Sequence, residues 1–567
     1  MFFMTIKSKL TERQSILHET VFMNYLFVLS GTMMTLLLSP NASIMLILIS
    51  VLCSFILLCI LAFKVHFLKI VSHDLKYYTC IISFVFTVVM VYCSSTFFLN
   101  QFVAVSEKLK QSRALADLSQ DIMSTILTAG IISIGFFSVF SIFVFFCYFF
   151  KKILPIVHEN MKETVKFEKI YLIIVSFFAL LLISIIFNQT NVFYNPSING
   201  QDLCGFQRNI GILYTTDTGY LVGFGNTYLH VNATEWKQPL FSLFAMPFGI
   251  TAFILSKIFF FVPNAYFIII NVIQIILLQF SLVLISRMAK LNPSNALFFF
   301  GISTLSYPVL FFSLNMEQYI FPVFWLVLFI YACIFKKQYQ ESSFIPASGS
   351  MLSSVVLFPL MVNKKDFIEQ LKRTAIKFGI ATTIFGQLPL FLNIFSSLKK
   401  AVAFTGIDLS FTDKLFQYFN FISLCLIKPN IVTDINQYQQ FTIHIYTLSS
   451  VTAVNIIGVA LLLVAIIGFI LNHQNNFACI CMFWVAYSFV ILCIIGWGTS
   501  ENGLILYSLY FSWAFLCLVF MAIERICDHF SAIKYIIYSI VIIILAVINI
   551  AGIYEIIAFG IKYYPVL

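Results

Sequence analysis

Charge is scarce in this chain: Asp, Glu, Lys and Arg make up 10% of its 567 residues, against roughly 25% in a soluble domain. With 61% hydrophobic residues and a mean hydropathy of +0.98, a water-soluble fold is excluded. Phosphate-cradling GxxxxGK[ST] loops are absent too, and the stretches between apolar runs on the basic side are too short for a dinucleotide-binding unit. That argues against nucleotide-driven chemistry there. The 13 cysteines lie mostly inside apolar runs, at no spacing that would hold a metal. They read as small hydrophobes facing lipid or core.

What the chain does have is long uncharged apolar runs, such as 170–188 and 535–553, close to the ~20 residues that cross a bilayer as a helix. They are continuous, whereas a transmembrane barrel would show alternating strands of roughly ten residues. The expected fold is therefore all-α and polytopic, with backbone polar groups satisfied inside helices. Thirteen spans can be drawn, at about 21–38, 44–66, 77–99, 123–150, 170–188, 263–286, 295–313, 318–335, 378–397, 449–472, 477–496, 503–523 and 535–558. Two further apolar pieces fit poorly. Residues 239–258 are interrupted by Pro247 and Lys257, and 342–362 by Pro346, Gly349 and Pro359. Both read as partial, surface-lying or re-entrant helices.

The net charge of +10 would suggest nucleic acid in a soluble domain, but here the cations sit in short loops, so nucleic acid is not an expected partner. With the N-terminal segment bearing Lys7, Lys9 and Arg13 placed inside as a tail and signal anchor, 22 of the 33 Lys and Arg fall inside and 11 outside. That bias agrees with the positive-inside rule. This orientation places the two longest polar loops, 189–238 and 398–448, outside. The aromatic content of the second suggests helices on the membrane surface, shaping an acceptor site.

The first of these loops concentrates polar chemistry, with Asp202, Arg208, Asp217, Tyr220, His230 and Lys237. A carboxylate near the outer end of a span can serve as a general base when an acceptor hydroxyl is within reach, and nearby cations can hold a leaving phosphate. Asp217-Thr218-Gly219-Tyr220, followed by Lys237-Gln238-Pro239-Leu240-Phe241, resembles the first outer loop of the GT-C superfamily of membrane glycosyltransferases. In that superfamily a loop Asp precedes a (Lys/His)-x-Pro-Leu motif that opens a surface helix, here 239–258. The basic turn Ser286-Arg287-Met288-Ala289-Lys290 and the acidic turn Leu314-Asn315-Met316-Glu317-Gln318-Tyr319 follow in the same order. The resemblance covers roughly 170–400. It departs from the usual pattern in two ways: four spans precede the loop, and Asp217 is flanked by Thr216 and Thr218 rather than by a second carboxylate.

The resemblance implies a three-part layout: an added membrane module of unknown role at 1–168, a catalytic membrane core at 169–400 with outer loop 189–262, and an outer loop with C-terminal helices at 401–567. It implies an integral, multi-pass protein of the plasma membrane, N-terminus cytoplasmic and active site outside. The implied donor is a polyprenyl-phosphate-linked sugar, transferred with inversion to a glycan, lipid or protein acceptor, in contact with membrane lipids. Asp217 would be the base and Glu317 a second catalytic carboxylate. Arg208, Tyr220, Lys237, Gln238 and Glu501 would contact substrate, with Lys257 and Lys428 also available to phosphate. It implies no particular cofactor and leaves a divalent metal open, because the superfamily has members with and without one. Two other readings fit the residues: a transporter or flippase for lipid-linked saccharides, and a non-catalytic membrane scaffold. Against transport stand the absence of an evident internal repeat and the placing of Asp217, Glu317 and Glu501 at span ends rather than mid-span.

Overall fold

The computed structural model describes residues 151, 153–190, 202–203, 206–207, 237–263, 265–314, 318–361, 367–384, 402, 405–435, 441–446, 453–499, 504–563 and 565, with isolated positions 28, 32, 52, 55, 56 and 59. The spans drawn over 21–150 otherwise lie outside these residues. The helices are α1 (Lys166–Gln189), α2 (Phe241–Ile258), α3 (Ala265–Met288), α4 (Pro293–Leu305), α5 (Tyr307–Leu314), α6 (Ile320–Phe335), α7 (Gln340–Ser350), α8 (Phe367–Ile384), α9 (Phe411–Leu424), α10 (Ala453–Leu471), α11 (Asn476–Ser488), α12 (Ser508–Ile526) and α13 (Ser531–Tyr563). Six helical segments are long and apolar enough to cross a membrane, and a bent pair, α4 with α5, makes a seventh if counted as one span. The protein is a helical membrane protein.

The long apolar runs at 170–188, 263–286, 449–472, 477–496, 503–523 and 535–558 coincide with these six segments. Helix α6 answers to 318–335 but has only 16 residues, or about 24 Å. It is buried along most of its length, so it is a core helix shielded by its neighbours. The run 295–313 is broken at Ser306 and bent by 59°. Pro308 explains the break, since it has no N–H for the carbonyl four residues back and its ring obstructs a continuing helix. At 378–397 the described part belongs to α8, which starts at Phe367. It carries the exposed pair Glu369–Arg373 at 2.5 Å.

Several helix starts were written locally. Asn292 caps α4 through the Asn295 N–H at 2.9 Å, with Pro293 in the first turn. Ser410 caps α9, and Asn475 caps α11. Helix α3 ends in a Schellman turn: the Leu291 N–H donates to Ser286 C=O at 3.1 Å and the Lys290 N–H to Arg287 C=O at 3.0 Å. Its left-handed position is Lys290, at φ +57°, where glycine is usual. Replacing Lys290 with Gly should therefore stabilise the cap by about 1 kcal/mol, readable as a higher unfolding midpoint in detergent.

The second long loop, 398–448, differs from the expected surface helices. Among its described residues are α9 and an antiparallel hairpin, β1 (Asn430–Ile435) with β2 (Phe441–Tyr446), in register from Asn430 opposite Tyr446 to Ile435 opposite Phe441. The alternation in Phe-Thr-Ile-His-Ile-Tyr is a strand period. Residues 202–203 and 206–207 form a minimal second hairpin.

The chain divides into two compact units. In the first, residues 237–244 and 348–361 dock on each other. The second unit comprises residues 160–225, 245–347 and 396–567. Its centre is α3 and the 504–526 segment, 72% and 83% buried, whereas α1, α10 and α13 bury only 22%, 22% and 28%. Along α13 the exposed stripe is Ile536, Ile540, Ile543, Val547, Ile550 and Tyr554. Its buried face holds Tyr538, Asn549, Gly552 and Ile556. That is the arrangement of a helix with lipid on one side, since lipid accepts the apolar face and the protein must hold the polar one. Glycines permit close approach: a Cβ at Gly458 or Gly468 of α10 would collide with the Phe419 carbonyl of α9 or the Leu518 carbonyl of α12. Buried polar pairs join other helices, as where the Tyr171 hydroxyl bonds Gln279 and Thr304 across α1, α3 and α4.

Candidate functional site

Of the residues expected to act, Asp217, Arg208, Tyr220, Glu317 and Glu501 lie outside the described residues. Lys237 and Gln238 are described, half-buried at the turn that opens α2. The turn is built on its backbone. Lys237 C=O accepts the Leu352 N–H at 2.9 Å, and the Leu240 N–H donates to Gly349 C=O at 2.8 Å. A Cβ on Gly349 would sit 2.7 Å from the Leu240 Cβ, so only glycine admits this approach. Pro239, which lacks an N–H, stands just before the helix, where no intrahelical bond is lost.

The segment receiving this turn is the other apolar piece that fitted no span. Its helix α7 ends at Ser350 and gives way to a 3₁₀ stretch, Leu352–Met361. The helix runs through Pro346 and ends at Ser350, so Gly349 C=O and Leu352 N–H fall at the junction of the two helical stretches, where the Lys237–Leu240 turn uses them. The two misfits in the hydropathy pattern are thus two halves of one backbone junction.

In the second unit the flanks of Glu317 and Glu501 are both anchored. Tyr319, two residues after Glu317, is buried and its ring lies 5.2 Å from those of Phe312 and Tyr510. Gln318 is 4% exposed and its Oε1 has no hydrogen-bond partner among the described residues. Ahead of Glu501, the turn Gly496–Thr499 takes positive φ at Gly496 and Gly498. Trp497 Nε1–H donates to the Tyr507 hydroxyl at 2.8 Å, and Gln417 Nε2–H to Thr499 C=O at 3.4 Å. A Cβ at Gly496 would meet the Thr405 carbonyl and Lys414, and one at Gly498 would meet Tyr507. Through Tyr507 and Tyr510 the anchors of both turns meet at the start of α12.

The auxiliary cations fare less well. Lys428 is engaged by Glu555 at 2.5 Å, so it is not a free phosphate ligand. Lys257 lies 5.1 Å from the Phe253 ring on its own helix, beside the exposed Phe259, Phe260 and Phe261, the pose of a snorkelling lysine. Among the described residues no three His, Cys, Asp or Glu side chains are grouped as metal ligands, and the eight cysteines are free thiols.

Two polar constellations were not anticipated. At one end of the second unit, Arg287 forks onto Glu168, Nε to Oε1 at 3.1 Å and Nη2 to Oε2 at 2.5 Å, and its Nη1 donates to Asn160 C=O at 3.2 Å. Lys336 pairs with Glu163 at 2.8 Å, and Glu524 accepts from Asn295, from Lys534 at 3.1 Å and from the Tyr538 hydroxyl at 2.7 Å. Toward the other end, Asn549 braces the broken span. Its Nδ2 donates to Leu305 and Leu426 carbonyls at 2.7 and 2.8 Å, while its Oδ1 accepts the Lys428 N–H at 2.8 Å. A lone Asn in an otherwise apolar run was the available signal.

Compared with known proteins, the chain matches no family model, no curated protein and no solved structure.

Proposed function

We propose that this membrane protein is a glycosyltransferase of GT-C type, moving a sugar from a polyprenyl-phosphate donor to an acceptor on the outer face with inversion at the anomeric carbon. The observation that carries the reading is the Lys237–Leu240 turn. It opens a helix directly after the loop containing Asp217, and is held by backbone bonds to Gly349 and Leu352. A loop anchored at its exit can hold a base in register with a membrane-embedded donor.

In the proposed step Asp217 takes the acceptor proton as the acceptor oxygen bonds to the anomeric carbon and the carbon–phosphate oxygen bond breaks, releasing polyprenyl phosphate. Arg208 and Lys237 would neutralise the leaving phosphate, Tyr220 and Gln238 would contact the sugar, and Glu317 and Glu501 would position substrate from their anchored turns. The end of the second unit that gathers Arg287, Lys290, Lys336, Arg525 and Lys534 would face the cytoplasm. A divalent ion, where one is used, would have to be shared between Asp217 and Glu317.

The test is transfer by purified protein in liposomes, with a panel of polyprenyl-phosphate sugars, comparing wild type with Asp217→Asn and with chelator. Release of polyprenyl phosphate should fall by about 10²–10⁴-fold in the variant, with its elution profile and melting unchanged. Turnover indifferent to the substitution would remove Asp217 as base, and inactivity with every donor would overturn the reading.

A further inference from the structure

At the end of the second unit away from the Gly496–Thr499 turn lies a polar cleft of about 580 Å³, lined by Lys290, His473, Asn475 and Arg525 among others. It adjoins a hollow of about 250 Å³ that shares Lys290, Asn472, Asn475 and Arg525 and adds Asn295, Glu524 and Asp528. Lys290 follows the last turn of α3, and Arg525 sits in the last turn of α12. Both stand just past apolar spans, where lipid headgroups lie.

The charges divide into donors and acceptors. Lys290 and Arg525 make no ion pair among the described residues, and the N-terminus of α11, which favours an anion, opens at Asn475 and Asn476. Glu524 is occupied by Lys534, Tyr538 and Asn295, but Asp528 makes no ion pair among the described residues. Asn295, 3% exposed, lines the hollow and holds Glu524 through its amide N–H. Lys290 itself occupies a left-handed position that glycine would hold at less cost.

We infer that this cleft binds a phosphoester headgroup that also carries a hydroxyl or ammonium donor, with the phosphate on Lys290 and Arg525 and the donor on Asp528. The shared chemistry occurs in phosphatidylethanolamine and in soluble phosphoethanolamine. Phosphatidylcholine has the same net charge and phosphate but offers no donor.

Delipidated full-length protein, titrated with each lipid and read by native mass spectrometry, distinguishes the cases. Wild type should favour phosphatidylethanolamine over phosphatidylcholine by about tenfold, the size of one charge-assisted hydrogen bond. Asp528→Asn should reduce that preference, and Lys290→Gly should weaken both lipids while keeping the fold. Lys337→Gln, an equal charge loss outside the cleft, should leave both unchanged. Displacement of lipid by millimolar phosphoethanolamine assigns the site to a soluble ligand, and resistance to it assigns the site to the bilayer. Equal binding of the two lipids by wild type, or the same loss with Lys337→Gln, overturns the inference.

Discussion

Replacing Asn549 with Leu should destabilise the second unit by about 2–6 kcal/mol, although the substitution adds apolar bulk to an apolar helix. Asn549 is fully buried, and one amide serves Leu305 C=O, Leu426 C=O and Lys428 N–H. Leu426 C=O keeps the Tyr307 N–H at 3.2 Å, so the replacement strips the side-chain partner from Leu305 C=O and Lys428 N–H. Each buried polar group so stranded costs about 1–3 kcal/mol. The same amide holds open the bend between α4 and α5, so loss of the brace should also loosen the chain around Lys428. Unfolding in mixed micelles measures the first effect, and faster amide exchange at 426–428 the second. Asn549→Asp should be no better than Leu, because an oxygen would then face two carbonyls; rescue by Asp would show that only the Lys428 bond matters.

The second large effect is at Glu168. Its carboxylate, 5% exposed, accepts both the Arg287 fork and the Val165 N–H at 3.0 Å, so it closes an ion pair and caps α1 together. Glu168→Gln keeps the cap's oxygen but leaves a largely buried guanidinium without its counter-charge. Breaking a buried pair this way costs about 3–5 kcal/mol. The Arg287 side chain retains 17% of its surface, which places the expected loss near 3 kcal/mol. The double replacement Glu168→Leu with Arg287→Met should recover much of it, since no charge is then left desolvated. A double-mutant cycle by detergent unfolding gives the coupling; additive losses would mean that the pair contributes nothing beyond its separate contacts.

Parts of this architecture were readable without coordinates. Runs such as 453–471 and 531–563 announce themselves by length and apolarity, because a lipid-spanning segment must bond its own backbone. Helix starts at Asn292, Ser410 and Asn475 are equally local, since each cap needs only one side chain and the next few N–H groups. The Lys237–Leu240 turn was visible as a motif before a misfit helix. The hairpin after α9 was missed because the aromatic content of 398–448 outweighed its strand-like alternation. The expected surface helices gave way to backbone pairing over 430–446.

Composition and periodicity settle that this chain is a helical membrane protein, along with where the long apolar helices among the described residues lie, because the bilayer acts on each segment separately. They are silent on which face of a helix is inside. In lipid an outward Ile540 and an inward Ile556 are chemically alike, so apolar patterning carries no sidedness. Packing alone assigned Asn549 to the broken span, Glu168 to Arg287 across 119 positions, and Gly349 to Leu240. Each is a pairing of groups distant in sequence, created when buried polar atoms and close backbones must find partners inside the folded unit.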